Sequence, residues 1–336
     1  MSDSTEDEAK NTRAGQVQDE EAPDEWTALA DSYTFVLVPS FAPIYNAVVN
    51  ELLQPPQPGQ NHANLKVLDF GCGPGEPSLT IARKIATATV VGLDSTQPML
   101  EIAKKRAAEQ TDGIATRVTF RHVRRDVTMS DLVHIAGEGI NFDMVVSTFV
   151  LHYVDFHRRV ELVEQFCKMA QRVLIVTWGD QSQVGWLRAI KTFGTWKMQK
   201  DNNDICSFTL DPEDNESAES PTGSFTMCRK ETFDGIVDSI PEARLESWDT
   251  KTIVVTFTSV KALLSFLPMP GLGSSSDIQA MWKLLKSWGP NHVTLGNDPE
   301  QAIAFPTDVV FGQIDSGSNS ASASKTEAEG EASKRP

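Results

Sequence analysis

Three glycines spaced two apart, Gly71, Gly73 and Gly75, follow directly on the apolar run Val67-Leu68-Asp69-Phe70. A strand that empties into Gly-x-Gly-x-Gly lets backbone amides come close to a ligand, because glycine tolerates positive φ and has no side chain to collide. Asp94 stands nineteen residues beyond Gly75, at the end of a second apolar run, Thr89 to Asp94. A carboxylate there can accept hydrogen bonds from both ribose hydroxyls of an adenosine. His152 closes a further apolar run and is the candidate general base, since an imidazole is ordinarily neutral near pH 7.

These residues need a scaffold that brings strand ends to one edge, and the periodicity supplies it. Strands are expected at Lys66 to Phe70, Thr89 to Asp94, Arg117 to Val123, Phe142 to Val150 and Arg172 to Trp178, alternating with helices at Leu79 to Ala86, Pro98 to Glu109 and His157 to Gln171. The fourth and fifth runs are nearly continuous in apolar residues, as strands covered on both faces should be. Beyond Gly179 the pattern loosens, with a loop-like acidic stretch from Asp201 to Thr222. A helix at Lys230 to Ile240, a strand at Arg244 to Thr258, helices at Val260 to Leu267 and Ile278 to Trp288, and a strand at Asp308 to Ile314 complete the pattern. The expected fold is α/β: a Rossmann-like, doubly wound, seven-stranded sheet with helical lid insertions at about 181–228 and 259–303.

A nicotinamide dinucleotide is the natural competitor for such a loop. Its fingerprint needs glycine three positions past the middle glycine, where this chain has Glu76. The third glycine comes one residue early, which suits a nucleoside with an amino-acid tail and no pyrophosphate. The stretch Val67 to Glu76 resembles motif I of the class I S-adenosylmethionine (SAM)-dependent methyltransferases, in the small-molecule branch of ubiquinone/menaquinone C-methyltransferase-like proteins (methyltransferase type 11/25). The order of elements follows that family from Trp26 to Ile314, and the specific motifs occupy only short segments.

The resemblance implies that Gly71, Gly73 and Gly75 line the methionine and adenosine moieties, that Asp94 holds the ribose, and that Ser95 and Met99 border ribose and adenine. It places Asp126 and Val127 at the adenine amino group, with helix N-capping as the plainer role for Asp126. Ser147 and Thr148 face the methionine part, and Leu151-His152-Tyr153-Val154 matches the family's "LHHV" stretch. Tyr33, with the segment to Leu53, resembles N-terminal helices that close over the cofactor; simple packing is its alternative. Cys72, inside the loop, reads as buried packing, with no partner base beside it in sequence.

Composition narrows the classes. A 336-residue chain with 40% hydrophobic content can bury a core, and no run of about 18 apolar residues suggests a membrane span. Four cysteines, Cys72, Cys167, Cys206 and Cys228, include no CxxC pair, so neither metal nor disulfide is expected. The formal net charge is −16, seven of it within residues 1–25. That field repels phosphate backbones, and the cluster Arg117, Arg121, Arg124 and Arg125 reads as a solvated face, so no nucleic-acid partner is expected. Residues 1–25 and 315–336 are too poor in apolar side chains to offset ordering entropy and are expected to be disordered tails. Residues 26–60 would form the closing helices and 61–314 the methyltransferase domain of a cytoplasmic enzyme.

The expected activity is methyl transfer from SAM to a small, apolar or aromatic acceptor by in-line displacement, with Trp186, Phe193, Trp196, Phe208, Phe225, Phe266, Trp282 and Trp288 as a possible wall. Docking of lid helices is the alternative role of those aromatics. A protein or RNA methyltransferase and a non-catalytic SAM-binding regulator are the competing readings; no Asn-Pro-Pro-Tyr or Asp-Pro-Pro-Tyr motif supports the first.

Overall fold

The computed structural model describes residues 25–54, 64–136, 141–201, 226–266 and 272–317. Both expected tails lie outside these residues almost entirely, as do Cys206, Phe208, Phe225 and Leu267. At the edges, a helix already begins at Glu25, and the Ser316 amide bonds the Gln171 carbonyl at 3.0 Å.

Eight strands form one sheet: β1 (Lys66–Phe70), β2 (Thr89–Asp94), β3 (Val118–His122), β4 (Phe142–Thr148), β5 (Ala170–Trp178), β6 (Arg244–Phe257), the two-residue β7 (Thr294–Leu295) and β8 (Ile303–Asp315). The spatial order is β3-β2-β1-β4-β5-β8-β6, with β7 on β8. Pairings from β3 to β5 are parallel, and β8 runs antiparallel to both β5 and β6. The seven expected strands are all present, and β7 is an addition too short to carry a periodic signal.

Burial follows position in the sheet. β4 and β5 are buried along nearly their whole length, whereas β3 alternates and β6 is half exposed at the opposite edge. The side chains of one face (Val67, Met144, Val146, Leu174, Val176) pack under the N-terminal helices and the insertions. Those of the other face (Leu68, Val145, Val173, Ile175) pack on the helices Phe156–Met169 and Lys230–Val237.

The N-terminal segment runs as a helix Glu25–Ser32, a π-helical turn Tyr33–Leu37, a short turn Val38–Ser40 and a helix Ala42–Leu53, whose Ile44, Tyr45, Val48, Val49 and Leu52 are buried. The helices Met129–Ala136 and Gly185–Asp201 are elements that periodicity did not show. Gly185, Gly194, Thr192 and Thr195 lower the intrinsic propensity of the second, and burial of Trp186, Ala189, Ile190 and Phe193 offsets that. Among the described residues, no single helix is long and apolar enough to cross a membrane.

Candidate functional site

Parallel order reverses direction between β1 and β4, since β1 leads outward to β2 and β4 lies on its other side. The crevice beyond the carboxyl ends of these strands is where open α/β sheets take ligands. β1 ends at Phe70, whose register partner is Ser147 on β4, so the glycine loop and the end of β4 face each other across this switch point.

The loop has the backbone that its glycines permit. Gly71 has φ +80°, and a Cβ there would lie 2.1 Å from Val150 Cγ2, so no other residue fits against the end of β4. Gly73 has φ +50° with nothing within 4 Å of a virtual Cβ, which leaves open room on the cleft side. The Gly75 amide closes the turn on the Cys72 carbonyl at 2.9 Å. Asp94, from the end of β2, accepts the Gly73 amide at 2.8 Å and the Thr96 amide at 2.8 Å.

What lies under the loop decides the ligand class. In the helix Ser78–Lys84, the Ser78 amide donates to Asp69 Oδ2 at 3.0 Å and the Thr80 amide to Glu76 Oε2 at 3.0 Å, while Leu79 and Ile81 bond to the carbonyls of Gly75 and Pro77. Two carboxylates and two carbonyls thus use the donors that would otherwise cradle a phosphate. Glu76 is further held by Arg83 at 2.8 Å and Arg106 at 2.9 Å, and Arg106 also bonds the Pro74 carbonyl at 2.5 Å. The residue that breaks the dinucleotide fingerprint is therefore a brace for the loop.

Five of the buried polar atoms without partners belong to residues at or just after the carboxyl ends of β1 and β4. Asp69 Oδ1, Ser147 Oγ, Thr148 Oγ1 and both ring nitrogens of His152 are buried and make no hydrogen bond. Buried polar groups are almost always satisfied, so this set fits a ligand with its own donors and acceptors. Desolvation raises the Asp69 carboxyl to about 7 despite the bonds from Ser78, which lower it. Burial, with Arg159 adding repulsion, pulls His152 down to about 3. The imidazole is thus neutral throughout the ordinary pH range, able to accept a hydrogen bond but a weak acceptor of a full proton.

Other expected site residues fall into two groups. Tyr33 is brought in: it hydrogen-bonds Tyr45 and feels the charge of Asp94, and burial raises its phenol above the ordinary range. Its ring also meets Trp26 edge-on at 6.2 Å, and Trp26 in turn meets Tyr153 at 5.3 Å. Met99 is buried just past Asp94, and the carbonyl of Ser95 is 3.1 Å from His122 Nε2. Asp126 is not brought in: its side chain is 69% exposed and is gripped by Arg124 at 2.7 Å. Nor is Asp126 the helix cap, because Thr128 and Asp131 cap the helix Met129–Ala136 through each other, at 2.7 Å between side chains. Val127 is buried, with its amide on Arg124 and its carbonyl on Arg158. Cys72 is fully buried, and desolvation pushes its thiol well up, in keeping with packing.

Several site residues gave no sign in the sequence. Phe149, directly after β4, has φ +59°, which is costly for a side-chain-bearing residue and common near functional sites. Its ring is stacked on Trp178 at 3.6 Å between centroids. Trp178 meets Trp186 at 5.4 Å, and Trp186 meets Phe266 at 6.1 Å, so an aromatic chain runs from the end of β4 into the insertions. Phe193, Trp282 and Trp288 pack with the same core. Asp69 and Glu76 could have been noticed as acids flanking the loop, but only the fold shows which amides they bind.

Residues 67–172 match the family model described as "Methyltransferase domain". A ubiquinone biosynthesis O-methyltransferase of Bartonella tribocorum is 35% identical over 91 residues, covering 27% of this chain and 32% of that protein. A demethylmenaquinone methyltransferase of Lactiplantibacillus plantarum is 31% identical over 90 residues, covering 26% and 34%. The chain thus spans about a third of the curated relatives it matches. The solved structure of magnesium protoporphyrin IX methyltransferase from Synechocystis with bound SAH is 18% identical, covers 64% of this chain and 78% of its own, and has a TM-score of 0.41.

Proposed function

We propose that this chain, as a whole, is a SAM-dependent methyltransferase acting on a small, apolar or aromatic acceptor. The observation that carries the cofactor reading is the pair of carboxylates, Asp69 and Glu76, on the amides of Ser78 and Thr80 below an open glycine cradle. A pyrophosphate would find the helix N-terminal amides it needs already taken by these two carboxyl groups. A ligand with an amino-acid tail has a donor for the unpartnered Asp69 Oδ1.

When bound, SAM supplies a methyl carbon on a positive sulfur, open to in-line displacement by an acceptor. The residues of the chain do the holding. Gly73 leaves room for the ligand, Asp94 stands at the ribose, and Tyr33 closes the cleft from the N-terminal helices. We place His152 at the acceptor side, where a neutral imidazole can orient an acceptor O–H or N–H by accepting its hydrogen bond. The aromatic chain from Phe149 through Trp178 to Trp186 is buried beside the end of β4 and supports an apolar surround for the acceptor.

Calorimetry with SAM, SAH, NAD and ADP tests the cofactor reading: the first two should bind and the last two should not. Methyl-labelled SAM added with a cell extract, followed by separation into small molecules, protein and RNA, tests the acceptor class. Label in protein or RNA would overturn the small-molecule reading; tight SAM binding with no label transferred anywhere would point to a non-catalytic SAM-binding protein.

A further inference from the structure

The helix Phe156–Met169 starts behind Asp155, whose side chain caps it by accepting the Arg158 amide at 3.1 Å. One residue further on, Arg159 is 0% exposed, the largest fully buried side chain among the described residues. Burial lowers its affinity for its proton, and the Asp155 carboxylate restores part of it. A buried guanidinium is costly unless its donors are used.

Its donors go to the 151–154 turn and to the turn that begins at Thr226. Nε is shared between the carbonyls of Leu151 at 2.8 Å and Val154 at 2.6 Å, and Nη2 lies 3.5 Å from the His152 carbonyl. Nη1 donates to Thr226 Oγ1 at 2.9 Å. The first three acceptors belong to the turn Leu151–Tyr153 and its C-cap, which carries His152 away from the end of β4. Thr226, in turn, anchors the start of the helix Lys230–Val237, since its carbonyl accepts Thr232 Oγ1 at 2.7 Å and the Arg229 amide at 3.2 Å.

We propose that Arg159 is the positioning residue of the methyl-transfer site: its guanidinium fixes the 151–154 turn, and His152 on it, against the chain that returns at Thr226. This rests on the reading that His152 faces the acceptor. A planar fork with donors on three nitrogens can bridge Leu151, Val154 and Thr226 at once, and a lysine ammonium, a single point of charge, cannot. Because none of the Arg159 contacts involves the glycine loop or Asp94, cofactor binding should be separable from the clamp.

The test compares wild type, Arg159→Lys and Thr226→Val, the last removing one partner without stranding a charge. In hydrogen exchange, the amides of Tyr153 and Val154, which bond Val150 and Leu151, should open about tenfold faster in Arg159→Lys while the β1, β4 and β5 amides stay protected. Affinity for SAH, measured by calorimetry, should stay within about threefold of wild type. Label transfer from SAM into the small-molecule fraction should fall about 10²-fold in Arg159→Lys and less in Thr226→Val, as expected for displaced reacting groups. With Arg159→Ala, added guanidinium ion should recover part of that transfer. Wild-type exchange at Tyr153 and Val154 in both variants would overturn the clamp. So would uniform loss of protection with loss of SAH binding, or a transfer rate that does not change when the turn opens. If wild-type protein itself fails to bind SAH, the methyl-transfer reading falls, and the exchange data still decide whether Arg159 holds the turn.

Discussion

Asp94 Oδ2 accepts the amide of Gly73 at 2.8 Å, so the carboxylate that is offered to the ribose also holds the open point of the glycine loop. Its other oxygen accepts the Thr96 amide at 2.8 Å. One side chain thus sets the shape of the cradle, and in the proposed function it also meets the ligand.

Asp94→Ala should therefore weaken SAM and SAH by more than a lost ribose contact alone. Loss of charge-assisted hydrogen bonds of about 1.5–3 kcal/mol corresponds to roughly a tenfold to hundredfold rise in Kd. Asp94→Asn keeps one acceptor oxygen, replaces the other with a donor that cannot take its amide, and should lie between wild type and alanine. Unchanged calorimetric affinity in the folded alanine variant would remove Asp94 from the ligand site.

Gly71 and Gly73 should respond differently to the same substitution. A methyl at Gly71 meets Val150 Cγ2 at 2.1 Å, so Gly71→Ala should lower stability by about 2 kcal/mol or more, with partial recovery in the double variant with Val150→Ala. Gly73→Ala meets nothing, so its stability cost should be only the left-handed strain of about 1–2 kcal/mol, while SAM affinity should drop because the methyl enters the cradle. Urea melts beside calorimetry separate the two; equal effects on binding with no difference in stability would contradict this geometry.

The two perturbed buried groups pull stability in opposite directions with pH. His152 falls from 6.5 to about 3 on folding, so the unfolded chain takes up a proton that the folded chain refuses, and acid destabilises between these values. Asp69 rises from 3.8 to about 7, so the folded chain keeps a proton that the unfolded chain loses, and acid stabilises across that window. His152→Phe should leave the Asp69 slope uncovered, with stability growing as pH drops from about 6.5 to 4.5, and Asp69→Asn should give the reverse, each by up to about 1.4 kcal/mol per pH unit. Urea titrations at three pH values check the signs. For the same reason the rate of methyl transfer should show no limb near pH 6.5 arising from His152, and parallel profiles for wild type and His152→Ala are expected between about pH 5.5 and 9.

Removal of residues 1–24 and 318–336 should leave both melting temperature and SAH affinity unchanged, because their composition supplies few apolar side chains to dock. The cut is placed after Gly317 because the Ser316 amide still bonds Gln171 at 3.0 Å. A lowered melting temperature in the truncated protein would show that a tail packs on the domain.

The sequence alone determined the strand-loop-helix start, the glycine spacing, Asp94 and the order of the first five strands. These features are local: buried parallel strands read as apolar runs, and a close backbone approach demands glycine at fixed offsets. Strand order also put Ser147 and His152 at the end of β4, and resemblance put Tyr33 on the N-terminal helices. Tertiary structure decided what depends on contacts between distant segments. It set β8 between β5 and β6, spent Glu76 on Arg106, and turned Asp126 outward to Arg124. It also brought Trp178 onto Phe149 and drew the Arg159 guanidinium to Thr226, 67 residues away in sequence. The ionisation of His152 belongs to this second group as well, since a histidine in a sequence carries its ordinary affinity for a proton, and only burial beside Arg159 takes that affinity away.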